Sequence, residues 1–141
     1  MTLYLDTSLL VAALTREAKT ARVQSWLGSR AADELAISDW VGAELSAALS
    51  VKLRLGQISD DHRADVLAIF ARLASESFVT LPITSLHFRA ASRLADQYAP
   101  GLRAGDALHL AICADHGATL CTLDRRLGEA GPELGVMAKL L

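Results

Sequence analysis

The sequence predicts an α/β domain built on a parallel sheet, and two observations indicate this fold. Short apolar and β-branched runs alternate along the 141-residue chain with longer segments whose apolar positions recur at helical spacing. Strands that alternate with helices favour a parallel sheet with helices covering both of its faces. No linker, low-complexity tract or internal repeat interrupts this pattern, so we expect residues 1–141 to form a single domain.

Four short runs have the composition of strands, and a weaker fifth run lies near the C-terminus. Each run is bounded by polar or turn-forming residues, as strands usually are. Helical patterns separate the runs from one another. The predicted strands are Thr2–Leu5, Leu35–Ile37, Phe78–Leu81 and Thr119–Thr122, with the fifth near Val136–Ala138.

The first predicted helices have clear ends. Residues Thr20–Ser29 form one helix, and Asp39–Leu55 form a longer one that Gly56 ends as its C′ residue. Ser59 begins the next helix as its N-cap. The apolar stripe of that helix has helical spacing and consists of Val66, Leu67, Phe70 and Leu73.

Two further helices precede the fourth strand. Thr84 opens the first of them, and Pro100 with Gly101 ends it. We expect its inward face to be formed by Leu86, Ala90, Ala91, Leu94, Ala95 and Tyr98. The second helix, Arg103–His116, is apolar nearly all round, so we expect it to be buried.

Composition and charge exclude several classes of protein. Lys and Arg number 14 against 16 Asp and Glu, a net charge of −2, so any nucleic-acid contact needs a local basic patch or bound cations. No stretch reaches the ~20 apolar residues of a membrane span. Met1 leads directly into the first strand-like run, so we expect no signal peptide and a cytoplasmic protein. Cys113 and Cys121 lack CxxC spacing and are expected to be small buried residues.

Four acidic residues fall where side chains at the carboxyl edge of the sheet are expected. Asp6 follows the first strand and Asp124 follows the fourth, and ligands of open parallel sheets bind beyond the carboxyl ends of the strands. Glu44 falls within the apolar stripe of its helix, where a charge is costly unless it is paired. Asp106 stands in the first turn of the most apolar helix.

Each of these acids also has a structural explanation. Asp6 and Asp124 could cap the helices that follow them, and the helix dipole favours Asp106 at a helix N-terminus. Glu44 could reach water from the edge of its stripe. Together, however, the four acids would repel one another without cations, and Mg²⁺ prefers carboxylate oxygens. Such an ion activates water, binds phosphate oxygens and lets a polyanion approach a negatively charged chain.

These residues and the motifs around them resemble PIN-domain ribonucleases, most of all the VapC toxins of toxin–antitoxin pairs. The resemblance covers essentially the whole chain. It is carried by the strand that leads into Asp6, Thr7 and Ser8, by Glu44 in a long helix, and by two late motifs, LRAGDALHLA from Leu102 and TLDRRL from Thr122. The resemblance implies a three-layer α/β/α fold with a central five-stranded parallel sheet in the order 3-2-1-4-5.

The resemblance also implies an activity and its partners. It implies an endoribonuclease that needs Mg²⁺, for which Mn²⁺ can substitute. It implies a homodimer that is silenced by an antitoxin, whose C-terminal segment lies across the active-site groove. Hydroxyl groups near the metal or phosphate match Thr7, Ser8 and Thr122. The acids that match the catalytic and metal-binding positions are Asp6, Glu44, Asp106 and, least securely, Asp124.

Other residues near the acids were assigned simpler roles. Arg103 and Arg125 flank the acids and are candidates for contacts with RNA phosphates. His109 stands three residues after Asp106, and a core role is favoured over a ligand role because a Mg²⁺ site prefers oxygen. Trp40 is expected to pack rather than to stack on a base. His62, His87 and His116 show no partner pattern.

Two rival functions were weighed against a nuclease. A phosphotransfer enzyme of the haloacid dehalogenase type needs a second Asp two residues after the first, and this chain has Ser8 there. A non-catalytic module that uses the acids only to bind a metal or an antitoxin arginine stays open. The favoured hypothesis is in-line attack of an activated water on an RNA phosphodiester, which leaves a 3′-hydroxyl and a 5′-phosphate.

Overall fold

A computed structural model describes residues 1–141 and contains one sheet in which every strand pairing is parallel. The strand order is β3-β2-β1-β4-β5, which confirms the order that the family resemblance implied. The two edge strands, β3 and β5, are short. The strands are β1 (Leu3–Leu5), β2 (Leu35–Ile37), β3 (Val79–Thr80), β4 (Thr119–Thr122) and β5 (Ala138–Leu140).

Seven α-helices and one short 3₁₀ turn, Ala32–Glu34, connect the strands. Helices α1 to α4 pack with one another and α5 packs with α6, which gives the α/β/α layers of the fold. None of these helices has both the length and the apolar composition needed to cross a bilayer. The helices are α1 (Thr7–Leu14), α2 (Thr20–Gly28), α3 (Asp39–Arg54), α4 (Asp60–Glu76), α5 (Ser85–Asp96), α6 (Ala104–His116) and α7 (Arg125–Glu133).

The core lies around β1, β4 and α6. All three residues of β1 are buried, and α6 is buried without interruption from Ala107 to Cys113, as its apolar composition predicted. Both cysteines are free and buried, and burial raises the pKa of Cys121 to about 11. The prediction that they are small core residues is therefore confirmed.

The predicted position of the fifth strand was wrong by two residues. We placed it near Val136–Ala138, whereas pairing begins at Ala138, which lies opposite Leu120. Val136 belongs to the turn that ends α7, because its N–H donates to the carbonyl of Gly131 at 2.8 Å. Its apolar side chain suggested a strand, but its backbone hydrogen bond is used by that turn.

The inward face of α5 was predicted correctly at Ala90, Ala91, Leu94 and Ala95, which are buried or half-buried against the core. It was wrong at Leu86 and Tyr98, which are 64% and 89% exposed, and Tyr98 lies beyond the end of the helix. The buried residue that the prediction missed is His87. His87 can be buried because both of its ring nitrogens are hydrogen bonded, and apolar spacing carries no information about such bonds.

His87 joins the start of α5 to the end of α6. Its Nδ1 accepts a hydrogen bond from the backbone N–H of Thr84 at 2.9 Å, and its Nε2 bonds Asp115 Oδ2 at 2.9 Å. With His116, these side chains bring ligand atoms within 4.8 Å of one another. However, an Nδ1 that accepts from an N–H leaves the ring proton on Nε2, so Nε2 donates to Asp115 and has no lone pair for a metal. The group is therefore a structural link between the two helices.

This link predicts that His87→Ala destabilises the protein by about 1–2 kcal/mol, because the Thr84 N–H loses its acceptor and the link to Asp115 disappears. Leu86→Ala is the matched control on the exposed side of the same turn, and we expect it to change stability by no more than about 0.5 kcal/mol. Urea denaturation of both variants measures the difference. Equal free energies of unfolding would contradict the structural role of His87.

Candidate active site

The pairing of β1 with β4 brings the first acid to the carboxyl edge of the sheet. Leu5 lies opposite Cys121, and the N–H of Asp6 donates to the carbonyl of Cys121 at 3.1 Å. Asp6 therefore lies beside Thr122, the last residue of β4, and Asp124 follows two residues later. The strand ends thus deliver two of the four predicted acids to one edge, as the parallel topology requires.

Asp6 is a buried carboxylate held by hydroxyl groups. Its Oδ1 accepts hydrogen bonds from the Ser8 hydroxyl at 2.5 Å and from the Leu9 N–H at 3.4 Å, so it also caps α1. Its Oδ2 accepts from the Thr122 hydroxyl at 2.5 Å. Burial raises the pKa of Asp6, while the bonds from Ser8 and Thr122 oppose that rise. Ser8 and Thr122 therefore orient and partly stabilise this charge.

Glu44 is held through only one of its two oxygens. Thr7 donates its hydroxyl proton to Oε1 at 2.8 Å, and His109 Nε2 bonds the same oxygen. Burial acts to raise the pKa of Glu44, but the hydrogen bond and charge of His109, with the bond from Thr7, outweigh it and lower the pKa. Oε2 has no hydrogen-bond partner in the protein, so it is available to a ligand.

His109 has a more specific role than the sequence indicated. Its side chain is buried, as predicted, but it bonds Tyr4 through Nδ1 at 2.8 Å and Glu44 through Nε2. The Tyr4 hydroxyl also bonds Ser38 at 2.7 Å, and burial raises the pKa of Tyr4 well above its usual range. His109 thus ties Glu44 to β1 and to the end of β2. Its position three residues after Asp106 was the available sequence signal.

Asp106 experiences the charges of the other acids. Its Oδ2 accepts a hydrogen bond from the N–H of Arg103 at 3.3 Å, at the start of α6. Burial raises the pKa of Asp106, and the negative charges of Asp124 and Glu44 raise it further, against the opposing effects of Arg103 and His109. The structure therefore brings Glu44, Asp106 and Asp124 within one electrostatic field.

Asp124 has the simplest local explanation of the four acids. It is exposed, and its Oδ1 accepts a hydrogen bond from the N–H of Leu127 at 3.2 Å, so it caps α7. The cap leaves Asp124 Oδ2 without a hydrogen-bond partner in the protein. Asp106 Oδ1 likewise has no partner, because the Arg103 N–H donates to Oδ2. A shallow groove of about 450 Å³ passes Asp124 and is lined by Thr7, Ser8, Val11, Glu17, Ala48 and Leu123 as well.

The donor set fits a hard divalent cation. No Lys ammonium or Arg guanidinium nitrogen lies within 4.0 Å of a carboxylate oxygen of the four acids, and His109 is the only basic side chain that pairs with one of them. Free carboxylate oxygens with uncompensated charge are the ligands that Mg²⁺ and Mn²⁺ prefer. No three of the acids bring an oxygen each within 4.8 Å of one another, so a cation bound by three of them would require side-chain movement or waters to complete its coordination.

The two predicted arginines lie on the rim of this site. Arg103 precedes α6 and Arg125 begins α7, directly after Asp124. Both are exposed, and neither forms an ion pair with a carboxylate. Their guanidinium groups are therefore free for an anionic ligand beside the acids.

Comparisons with known proteins were made for the whole chain. The family described as "PIN domain" matches residues 3–131, and a search of curated proteins finds no match. Among solved structures, PAE2754 from Pyrobaculum aerophilum has 25% sequence identity and a TM-score of 0.66, and the match covers 98% of this chain and 90% of that one.

Two further solved structures share the fold at lower identity. VapBC2 from Rickettsia felis, bound to a DNA fragment from its promoter, has 16% identity and a TM-score of 0.68, with 100% of this chain and 99% of that one covered. VapC20 from Mycobacterium tuberculosis, a toxin that cleaves the sarcin-ricin loop, has 17% identity and a TM-score of 0.74, with 92% and 95% covered.

The raised pKa of Asp106 predicts how stability depends on pH. A raised carboxyl pKa means that ionised Asp106 destabilises the folded chain, and the effect develops as pH rises through the raised pKa. At a pH below the ordinary pKa of aspartate, the carboxyl group is protonated in both the folded and the unfolded state, and the destabilisation vanishes. Without divalent cations, Asp106→Asn should therefore be more stable than the wild type at neutral pH and equal to it in acid.

Thermal denaturation in EDTA across this pH range measures the effect. Asp65→Asn is the matched control, because Asp65 lies on the exposed side of α4 and makes no hydrogen bond or ion pair through its side chain. A variant Asp106→Asn that is less stable than the wild type at neutral pH would contradict the electrostatic account of the site.

Proposed function

Because this chain belongs to the PIN-domain family, we propose that it is a Mg²⁺-dependent endoribonuclease, active with Mn²⁺ as well, and the toxin of a toxin–antitoxin pair. One observation carries the enzymatic part of the proposal. Asp6 and Asp124 follow the paired strands β1 and β4, and Glu44, Asp106 and Asp124 each keep one oxygen free with no Lys or Arg side chain paired to it.

The reaction is hydrolysis of an RNA phosphodiester. Asp6, Glu44, Asp106 and Asp124 would hold the cation, which would supply a Lewis acid that lowers the pKa of water and neutralises phosphate charge. The attacking water oxygen forms a bond to phosphorus, and the bond from phosphorus to the 3′ oxygen breaks. The products are a 5′-phosphate and a 3′-hydroxyl, which takes up the proton.

The side chains around the acids fix their geometry. Ser8 and Thr122 orient the Asp6 carboxylate, because each donates a hydrogen bond to a different one of its two oxygens. Thr7 and His109 hold one oxygen of Glu44 and leave the other free. Groups that are already oriented lose little entropy when the ligand binds, which is how an active site lowers a barrier by positioning.

The rim of the site supplies the contacts to RNA. The net charge of −2 gives the whole chain no attraction for a polyanion, so binding depends on local groups. Arg103 and Arg125 lie beside the acids without acidic partners and are placed to bind neighbouring phosphates. Such contacts position the strand, while groove shape and peripheral contacts select the sequence that is cut.

The toxin role extends the proposal to protein partners. The solved structures that share this fold include a toxin that cleaves the sarcin-ricin loop and a VapBC complex with promoter DNA. We propose a homodimer, with a cognate antitoxin whose segment occupies the groove beside Thr7, Ser8 and Asp124 and so excludes RNA. A module that binds a metal or an antitoxin without cleaving RNA is the alternative.

RNA cleavage tests the enzymatic proposal directly. We expect purified protein to cleave structured RNA with Mg²⁺ or Mn²⁺, and EDTA to abolish cleavage. Asp6→Ala and Asp106→Ala should each lower the rate on the order of 10²-fold or more, as expected when an electrostatic group at the reacting centre is lost. Asp65→Ala, on exposed α4, is the control and should cleave at the wild-type rate.

The outcomes separate the two candidate functions. Equal cleavage by wild type, Asp6→Ala and Asp106→Ala would refute the assignment of the site. Cation binding at the acids without cleavage of any RNA, once antitoxin is removed, would favour the binding module. In cells, growth arrest on expression should disappear with Asp106→Ala and with co-expression of the antitoxin.

Tryptophan fluorescence locates the cation without relying on activity. The chain has two tryptophans, and the Trp40 ring lies against Gly105 beside Glu44, whereas Trp26 packs near Arg30 and Lys139. Paramagnetic Mn²⁺ should therefore strongly quench the fluorescence of Trp26→Phe, which keeps Trp40. It should only weakly quench the fluorescence of Trp40→Phe, which keeps Trp26. Calorimetry confirms that each variant binds Mn²⁺, and Mg²⁺ should reverse the quenching. Equal quenching of the two variants would place the cation elsewhere.

A further inference from the structure

Gly105 allows two side chains of α3 to lie directly against the start of α6. A Cβ at this position would stand 2.9 Å from Glu44 Oε2, 3.2 Å from Trp40 Nε1 and 3.4 Å from Trp40 Cζ2. In real proteins a Cβ atom essentially never lies within 3.0 Å of a neighbouring heavy atom of this kind. Gly105 is helical and its φ is not positive, so the backbone does not require glycine. The close approach of Glu44 and Trp40 is what requires it.

Other helical glycines differ from Gly105 in what a Cβ would meet. A Cβ at Gly28 would meet nothing within 4 Å, and one at Gly42 would meet only the Phe70 ring, at 3.5 Å. A Cβ at Gly131 would meet Ala138 at 2.8 Å, which is close packing of α7 on β5. Gly105 alone among the glycines approaches one of the four acids.

The oxygen that faces Gly105 is the free oxygen of Glu44. Oε1 is held on its other side by Thr7 and His109, while Oε2 has no bond and lies against the Gly105 position. The carboxylate is therefore confined between two sets of neighbours. Hydrogen bonds fix one oxygen, and contact fixes the other.

The indole of Trp40 bounds the same space. Its Nε1 is buried and has no hydrogen-bond partner, which costs about 1–3 kcal/mol for a buried donor. An unsatisfied group of this kind needs an explanation. Here the indole edge and Glu44 Oε2 both touch the Gly105 position, so the ring is held where it limits the movement of the carboxylate.

We infer that Gly105 and Trp40 are positioning residues that act through Glu44, an inference that rests on the proposed function. Gly105 provides the space into which the carboxylate fits, and the rigid indole edge closes that space. Oε2 thereby lies against Gly105, the residue directly before Asp106. The pair sets where Glu44 presents its free oxygen to a cation.

Gly105→Ala is the variant that tests this inference. Alanine suits a helix, and the atom it displaces most is the end of a flexible side chain, so the variant should fold with unchanged or higher thermal stability. Glu44 must move, so Mn²⁺ affinity by calorimetry should fall about 10–100-fold, as when other supporting groups of metal ligands are lost. The kcat for RNA cleavage should fall while KM changes little.

Matched controls separate positioning from general damage. Gly28→Ala, at an open helical position, should keep the wild-type Mn²⁺ affinity and cleavage rate. Trp40→Phe removes the indole edge that bounds the carboxylate, so it should also lower Mn²⁺ affinity and kcat. Trp26→Phe, which removes the other indole of the chain, should leave both unchanged.

Each outcome bears on a different statement. Wild-type Mn²⁺ affinity and kcat in Gly105→Ala would overturn the inference and leave the proposed function intact. Wild-type Mn²⁺ affinity and kcat in Trp40→Phe would overturn the role of Trp40. Wild-type protein that neither binds Mn²⁺ nor cleaves RNA would overturn the proposed function, and the inference with it.

Discussion

The parallel pairing of β1 with β4 is the constraint on which the site depends. It places Asp6 beside Thr122, so the buried Asp6 carboxylate accepts hydrogen bonds from the hydroxyl of Thr122, at the end of β4, and from that of Ser8, just after β1. It also buries Tyr4 within β1, from which the Tyr4 hydroxyl reaches both Ser38 and His109. One pairing therefore supports Asp6 directly and Glu44 through His109, and the other strands align around it.

The acids serve the fold and the site at the same time. Asp6 and Asp124 satisfy backbone N–H groups at the starts of α1 and α7, and Asp106 accepts one at the start of α6. Each uses one side of its carboxylate in this way. The helix termini stabilise the charges only in part, since burial and neighbouring charges still raise the pKa of Asp106. This residual repulsion is why we propose that the edge binds a cation.

Several neighbours of Glu44 lie in the first turns of α6. Gly105, Asp106 and His109 lie within five consecutive positions: Glu44 Oε2 lies against the first, the Glu44 charge raises the pKa of the second, and the third bonds Glu44 Oε1. The rest of the helix is buried, so these groups sit on a rigid support. A site built on a packed helix holds its geometry better than one built on loops.

The sequence by itself determined the sheet, the buried helix and the edge at which the acids gather, because these depend on local periodicity and on where strands end. Asp6 and Asp124 were placed by their strands, and Glu44 and Asp106 by apolar patterns and motif resemblance. Only the tertiary structure decided that His109 bonds Glu44, that His87 faces inward on α5, that pairing in β5 begins at Ala138, and that Gly105 admits Trp40 and Glu44. Those contacts join residues far apart in the chain, and a pattern within one element carries no record of what its side chains meet across the core.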